Sequence, residues 1–465
     1  MSGNARFVLL LFALFAVSGV AVGGGPMEVG SPYLGEDGKI ITWPTMPITY
    51  HLDGGPLSKT SSGDVINHSA AVTRVAKMFG VWQNVTTTSV KYSNGGAIKA
   101  VADGDVSTLT EYDQAESACY NGSETPVIFD ADGSILKAMG VDDAVIGFSG
   151  ICDVDASGHV VAGILLMNGK WKDGIDNTVN GELTDSQFDE AISHEIGHLS
   201  GLDHSQINVD QFLNTYNPCS AHDVIAGMPL MFPFAVCNGR QAVGAPVLSE
   251  DDKAWISKLY PAQSFSTGYG FIRGTIFFSD GYTQAQGVNV VARKVGSEMT
   301  FAVSVVSGFL FTGNPGQSLT ATYLKCNPPD HAGCVNGYYG DNTKGSRFGS
   351  RSTAMIGYYE IPVPPGDYTV EVESVYSAFT GGSSVGPLDP PALNPGYNEF
   401  WSTPESADDI PSDKSTVHVN AGAASEGVHI ILNNTRPRTD TFDGALLLWP
   451  DAPQVVSPVR DGGHA

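Results

Sequence analysis

The segment ISHEIGHLSGLDHSQ, residues 192–206, constrains this chain more than any other part of its sequence. His194 and His198 are four residues apart, so on a helix their imidazoles project from one face and can converge on one ion. Gly201 suits the left-handed residue that ends a helix, and the turn there allows His204 to return with a third nitrogen. Three protein ligands with an open fourth position are typical of a catalytic zinc site.

Glu195 follows the first histidine directly and is placed to reach a zinc-bound water instead of the metal. Zinc lowers the pKa of such a water to about 7 and polarises a carbonyl oxygen. Glu195 would take the proton as the water attacks and pass it to the leaving nitrogen, which is amide hydrolysis. A polar helix face with ordinary surface histidines is the competing interpretation, but it does not explain the glutamate, the glycine and the third histidine together.

Helix signals surround this segment. Thr184 and Gln187 occupy capping-box positions at the start of the histidine helix. Apolar residues recur at helical spacing between Gly63 and Gln83, and a third helix is predicted after Ser249 and before Pro261. Predicted strands lie within ITWPTMPITYHLD, where Ile48, Tyr50 and Leu52 alternate, and at TTTSVKY, TPVIFD, AVIGFSGI and HVVAGILLMNG, so the first unit should be a layered arrangement of helices and strands.

The chain changes character after Gln263, where short β-branched and aromatic runs alternate with turn residues. This pattern predicts an all-β sandwich over residues 265–435, with a loop insertion stapled by Cys326 and Cys334. Residues 436–465 have the composition of a loose tail. The strand and glycine pattern resembles the carboxypeptidase regulatory-like, transthyretin-like β-sandwich, for which structural support or binding of polysaccharide or protein surfaces is implied.

The N-terminus has the layout of a secretory signal peptide over residues 1–23, with an apolar run from Phe7 to about Val17 and small residues after it. A membrane anchor is the alternative, although the apolar run is short for one. Residues 24–39 would form a short linker. Export permits disulfides, and proximity along the chain suggests three pairs, Cys119 with Cys152, Cys219 with Cys237, and Cys326 with Cys334.

Charge limits the partners. The chain of 465 residues has 49 acidic and 24 basic side chains and a formal charge of -25. This balance disfavours nucleic acid and anionic membranes as partners.

The histidine segment resembles the metzincin metallopeptidases, whose signature His-Glu-x-x-His-x-x-Gly-x-x-His is met at every position. Within that group HEIGHLSGLDHS looks most like the matrixin branch. GMPLMFPF is similar to the Met-turn, with Met231 under the metal, and LSEDDKAWISKLYP to the closing helix. The resemblance covers residues 40–261 and implies an α+β fold, a twisted mixed sheet with three main helices.

Two departures from the matrixin pattern carry expectations of their own. The cysteine-containing latency peptide is absent, and no cysteine precedes Cys119, so latency by a cysteine ligand is not expected. Histidines for a structural zinc are not evident between Asp130 and Gly181, where His159 stands alone. We therefore expect one zinc ion, not two.

Calcium is a further expectation, raised by the resemblance. DADGS and DVDASG place Asp130, Asp132, Asp153 and Asp155 at alternate positions, as oxygen ligands require. Neither segment has the glutamate of an EF-hand loop, and both compositions also suit turns.

The sequence as a whole predicts a secreted, extracellular zinc endopeptidase that acts on protein or peptide substrates. Two alternatives stay open. One is a surface-binding or adhesion protein whose metal site is inactive or structural. The other is an amidase acting on a non-protein amide. An extended substrate would pair with the edge strand expected at AVIGFSGI.

Overall fold

The computed structural model describes residues 24–29, 39–155, 157–176, 181–235, 237–285, 287–310, 353–355, 357–373 and 399–433. Four short strands are described by backbone alone, Cys334–Val335, Tyr338–Tyr339, Thr435–Pro437 and Leu448–Pro450. The predicted signal peptide, the Cys326 to Cys334 bridge and most of the predicted tail lie outside the described residues.

Helices and strands alternate in the first half of the chain. The helices are α1 (His68–Gln83), α2 (Leu109–Tyr120), α3 (Ser134–Met139), α4 (Asp185–Leu199), α5 (Val209–Asn214), α6 (His222–Gly227), α7 (Glu250–Leu259) and α8 (Phe265–Gly268). The strands are β1 (Ile48–Leu52), β2 (Ser58–Thr60), β3 (Gly63–Ile66), β4 (Tyr92–Ala97), β5 (Pro126–Asp130), β6 (Gly147–Val154) and β7 (Val160–Asn168).

The five-stranded sheet runs in the order β4-β1-β5-β7-β6. Its first four strands are parallel, and β6 lies antiparallel to β7 at the edge. Because successive side chains of a strand point to opposite faces of the sheet, the two faces contribute side chains to two separate hydrophobic cores. Leu165 and Met167 face α1 and α4, whereas Ile164 and Leu166 face α2 and α3. The first half therefore has three layers, with α4 held against β6 and β7.

Several predicted elements are found at their predicted ends. α4 begins with a capping box formed by Thr184 and Gln187, and α7 begins with one at Ser249. Gly201 has a φ of 87°, the left-handed conformation expected after the helix.

Three other predictions need correction. α1 begins at His68, capped by Asn67, because residues 63–66 pair with β2 as strand β3. The strand predicted at TTTSVKY starts only at Tyr92, since the backbones of Thr87 and Ser89 bond to those of Ala262 and Tyr260 instead of to the sheet. Helix α2 was not predicted, because its apolar residues are sparse and small; its buried positions include Ala115 and Ala118.

The second half is built from two main sheets, one antiparallel and one with mixed strand directions. Its remaining strands, counting the short pair at 334–339 as β11 and β12, are β8 (Gly270–Phe277), β9 (Asn289–Lys294), β10 (Ala302–Val306), β13 (Tyr358–Val363), β14 (Gly366–Glu373), β15 (Val417–Val419), β16 (Ala424–Ser425) and β17 (Ile430–Ile431). One sheet has the order β10-β9-β14-β15, and the other the order β13-β8-β16, with β17 also paired to β8. Buried side chains of both sheets share one core, among them Ile272, Tyr359, Val290 and Val370.

That core is continuous with the core of the first half, and polar bonds reinforce the junction at α7. Trp255 donates its indole N–H to the carbonyl of Ser304 at 2.7 Å, and the Ser304 N–H donates to Asp251 at 2.7 Å. Lys258 pairs with Glu360 of β13. The chain is an α+β protein whose two halves share a buried boundary.

Two disulfides are present among the described residues, and both match the predicted pairs. Cys119 of α2 bonds to Cys152 of β6, and Cys219 bonds to Cys237. Disulfides persist in oxidising compartments. Among the described helices, none is both long enough and apolar enough to cross a membrane.

Candidate metal centre

The three histidines of the segment meet at one point. The Nε2 atoms of His194, His198 and His204 lie 3.1 Å from one another in all three pairs. A tetrahedral zinc ion with Zn–N bonds of about 2.0–2.1 Å would hold its nitrogens about 3.3 Å apart. The triangle therefore fits such an ion with only a small expansion.

Hydrogen bonds on the far side of two rings fix where their protons are. The Nδ1 of His194 lies 2.8 Å from the carbonyl of Leu230, and the Nδ1 of His198 lies 2.8 Å from the carbonyl of Leu202. A carbonyl only accepts, so each Nδ1 must carry the proton and each Nε2 of a neutral ring presents a lone pair. Those two Nε2 atoms cannot hydrogen-bond to each other, whereas a cation between them would satisfy both.

Burial keeps these imidazoles in the neutral form that binds metals. It lowers the pKa of His194, and it lowers the pKa of His198 to about 3, with the neighbouring His194 adding to the effect. His198 is buried, while His194 and His204 are partly exposed. The site can thus be reached from one side, as a ligand or substrate requires.

The loop that follows α6 supports the first histidine. Asp252 accepts the backbone N–H groups of Leu230 and Met231 at 2.9 and 3.1 Å. Leu230 in turn supplies the carbonyl that orients His194. A carboxylate on α7 therefore positions a metal ligand through one peptide unit, a type of support that affects metal affinity.

Met231, the residue of the predicted Met-turn, packs against Gly197 of the histidine helix. Its side chain is 2% exposed. A Cβ added to Gly197 would stand 2.3 Å from the Met231 sulfur and 3.0 Å from Cζ2 of Trp82. The helix can pack this closely against Met231 and Trp82 only because residue 197 has no side chain.

Glu195 follows His194 directly on α4 and has one carboxylate oxygen without a partner. It is 7% exposed, and its Oε2 has no hydrogen-bond partner. Burial raises the pKa of Glu195 to about 8, and a nearby cation would lower it again. Its Cγ lies 3.2 Å from the position of a Cβ on Gly147, the first residue of the edge strand β6. The Glu195 side chain therefore lies beside the first residue of that edge strand.

The loop carrying His204 is held from two directions. On one side, the N–H of Met27 donates to Gly201 at 2.8 Å and the N–H of Asp203 donates to Gly25 at 3.0 Å. Residues 24–29, expected to be linker, thus lie against the metal loop.

On the other side, the second half of the chain contacts the residues just after His204. Ser205 and Ser304 join through their hydroxyls at 3.2 Å, and Asn208 donates to the carbonyl of Met299 at 2.9 Å. Ile207 is fully buried against Val291 and Ala302.

The aspartates suggested for calcium take part in turns. Asp130 accepts the N–H groups of Ile135 and Leu136 at the start of α3, and Asp132 pairs with Lys59. Asp155 accepts the N–H groups of Ser157 and His159 in the hairpin between β6 and β7. These bonds account for the Asp and Gly composition as turn chemistry, and Asp153 pairs with β7 within the sheet.

Three features of the centre lay outside the sequence prediction. They are the Asp252 support, the contact of Gly197 with Met231, and the brace from the second half. The sequence did carry a signal for the Asp252 support, because Asp252 is the third residue of a capping box and its carboxylate oxygens need hydrogen-bond donors. The others depend on contacts between residues far apart in the chain.

Comparisons with known proteins add little. No protein-family model and no curated protein sequence matches this chain. One solved structure that shares similarity is the crystal structure of BcpA, the major pilin subunit of Bacillus cereus, with 10% identity and a TM-score of 0.16. The similarity covers 36% of this chain and 31% of the pilin, so the chain spans less than a third of that protein. A likeness of this size carries no argument about fold or function.

Proposed function

We propose that this chain is a secreted zinc endopeptidase of the metzincin group, closest in type to the matrixins. One observation carries the proposal. Three imidazole nitrogens lie 3.1 Å from each other, and the residue after the first histidine, Glu195, is a buried carboxylate with an unused oxygen. A structural metal site needs the nitrogens but has no need of the carboxylate.

His194, His198 and His204 would hold the ion, and the nitrogen donors and spacing suit zinc. Zinc bound there supplies a Lewis acid and lowers the pKa of a water to about 7. The residues of the chain do the rest. Glu195 takes a proton on its carboxylate and delivers it to the leaving amine, and its low exposure keeps competing water away from that transfer.

The substrate would be an extended peptide paired with β6. This strand is at the edge of the five-stranded sheet, and its first residue adjoins Glu195. Backbone pairing along an exposed edge holds a peptide straight and is indifferent to most side chains. Such pairing would bring the carbonyl of the bond to be cut close to the histidines. The edge position of β6 therefore supports a protein or peptide as the substrate.

The second half would be a transthyretin-like β-sandwich. Two sheets that share one core, one antiparallel and one with mixed strand directions, support this assignment. Its contacts with Ser205, Ile207 and Asn208 favour structural support of the metal loop as one role. Binding of polysaccharide or protein surfaces would be a second role, on faces away from that boundary.

The test uses the full chain loaded with zinc and an unstructured protein such as casein as substrate. Glu195→Gln keeps the shape of the side chain and should retain one zinc per chain, yet lose about 10²–10⁴-fold in rate, the usual contribution of a general base. Asp113→Asn changes an exposed carboxylate on α2 and should leave the rate unchanged.

Other outcomes separate the alternatives. Wild type that holds zinc but cuts neither casein nor a peptide library would refute the endopeptidase proposal. Release of amine from a peptidoglycan fragment under the same conditions would then favour the amidase. No hydrolysis of any amide, together with retention on a polysaccharide or protein surface, would favour the binding protein.

A further inference from the structure

A second group of metal-ligating side chains lies in the C-terminal half. Glu399, Glu405 and Asp409 each offer a carboxylate oxygen, and these oxygens all lie within 4.8 Å of one another. Oxygens on opposite sides of a calcium ion are about 4.6–5.2 Å apart. The three oxygens are therefore close enough together to bind one such ion.

Two of these side chains are more than nine-tenths buried and have an oxygen without a partner. Glu399 is 2% exposed, and its Oε1 receives no hydrogen bond. Asp409 is 8% exposed, and its Oδ2 receives none. Buried polar atoms are almost always satisfied in folded proteins, so two unsatisfied carboxylate oxygens in one cluster require an explanation.

The other oxygens of the cluster are held by donors. The backbone N–H of Asn433 donates to Glu399, and its side-chain amide donates to Asp409 at 2.7 Å. Glu405 accepts the N–H of Ile431 at 2.8 Å and that of Ser402 at 2.8 Å. These bonds orient the carboxylates, and the described ion pairs of the chain include no lysine or arginine bonded to any of the three.

We propose that Glu399, Glu405 and Asp409 form a calcium site that is distinct from the histidine centre. All the donors are oxygens, which excludes a preference for zinc and selects a hard cation. Three acidic groups from an irregular segment suit calcium, which accepts variable geometry, better than magnesium, which demands a near-ideal octahedron. Burial together with the neighbouring carboxylates raises the pKa of Glu399 to about 9 and that of Glu405 to about 7. A divalent cation would supply the missing positive charge.

The position of the cluster gives the site a structural purpose. Residues 399–401 run beside β14, where Phe400 bridges to Glu371 and the carbonyl of Glu399 accepts the N–H of Val372. Residues 430–433 continue from β17, which pairs with β8 of the other sheet. Calcium bound here would connect the two sheets of the second half.

The test is calcium titration of the full chain, stripped of metal and then reloaded with one zinc, so that the histidine centre stays filled. Isothermal titration calorimetry should detect one calcium per chain. Glu399→Gln should weaken binding about tenfold or more, because the affinity depends on ligand charge, and the Glu399→Gln, Asp409→Asn double variant should abolish it. Asp408→Asn removes the exposed neighbouring carboxylate and should bind as wild type does.

Thermal unfolding distinguishes a lost site from a damaged fold. Without calcium, the double variant should unfold no lower than wild type, because it has lost two buried acidic groups. Calcium should raise the unfolding temperature of wild type and Asp408→Asn but not that of the double variant. Equal calcium response of wild type and the double variant, or no bound calcium at millimolar concentration, would overturn the proposal. So would a response to magnesium alone.

Discussion

Replacing Gly197 by alanine tests how closely the histidine helix is fitted to the methionine beneath it. Alanine in place of glycine inside a helix normally stabilises a protein by about 0.5–1 kcal/mol. Here the added Cβ would be 2.3 Å from the Met231 sulfur, and both residues are buried. Overpacking of this kind costs about 1–3 kcal/mol. We therefore expect a net loss of about 0.5–2 kcal/mol in the free energy of unfolding.

Gly80 of α1 is the matched control. It also lies inside a helix, but the nearest atom to an added Cβ there is the side-chain nitrogen of Asn84 at 4.0 Å. Gly80→Ala should therefore stabilise the protein by about 0.5–1 kcal/mol. The two substitutions should therefore change the free energy of unfolding in opposite directions. The difference comes from the contact with Met231 at Gly197, which neither helix propensity nor composition describes.

The assay is urea unfolding of both variants with zinc saturated, alongside the casein assay. Gly197→Ala should also cut more slowly, because Met231 and the carbonyl that orients His194 belong to one turn. If Gly197→Ala proves as stable as Gly80→Ala and equally active, the contact with Met231 does not constrain the site. The reasoning would then be refuted.

Three further predictions concern the surroundings of the site. Asp252→Asn should lower the free energy of unfolding by about 1.5–3 kcal/mol and weaken zinc binding about 10–100-fold. The reason is that the single oxygen of asparagine cannot replace the two carboxylate oxygens that accept the N–H groups of Leu230 and Met231. Urea unfolding measures the first effect, and a competitive zinc indicator measures the second. Burial raises the pKa of Asp251 to about 8, so between about pH 4 and pH 8 the folded protein keeps a proton on this carboxyl that the unfolded chain has lost. Wild type should therefore lose free energy of unfolding relative to Asp251→Asn as the pH rises through that range, by up to about 1.4 kcal/mol per pH unit. Urea titrations at several pH values measure this loss. Replacing Cys219 and Cys237 by serine opens a bridge of sequence separation 18 and should cost about 3 kcal/mol, and a variant of unchanged melting temperature would contradict this.

Local signals were sufficient for much of the first half. The capping boxes at Thr184 and Ser249 fixed the starts of two helices, because they depend on residues three apart. The edge position of β6 was predicted from its sequence and is confirmed by the sheet order. The convergence of the three histidines followed from helix periodicity and one left-handed glycine, both of which are short-range properties.

Contacts between distant residues account for what was missed. Helix α2 buries only four residues, Tyr112, Cys119 and two alanines, so its apolar stripe was too weak to indicate a helix. The start of α1 was misplaced because β3 depends on pairing with β2. The three acidic residues are 24 to 34 residues from their partners at Ile431 and Asn433, and only the fold of the second half brings them together. Spacing along the chain carries no sign of such a group.

The loop that carries His204 makes completion of the centre depend on the order in which the chain is made. Its backing includes Ser304 and Met299, which leave the ribosome about a hundred residues after the histidines. A chain that ends near residue 262 would have all three histidines and Glu195, but would lack Met299 and Ser304, which contact the residues just after His204. The ability to cut proteins would therefore arise late in synthesis, after the helix that carries the signature has formed.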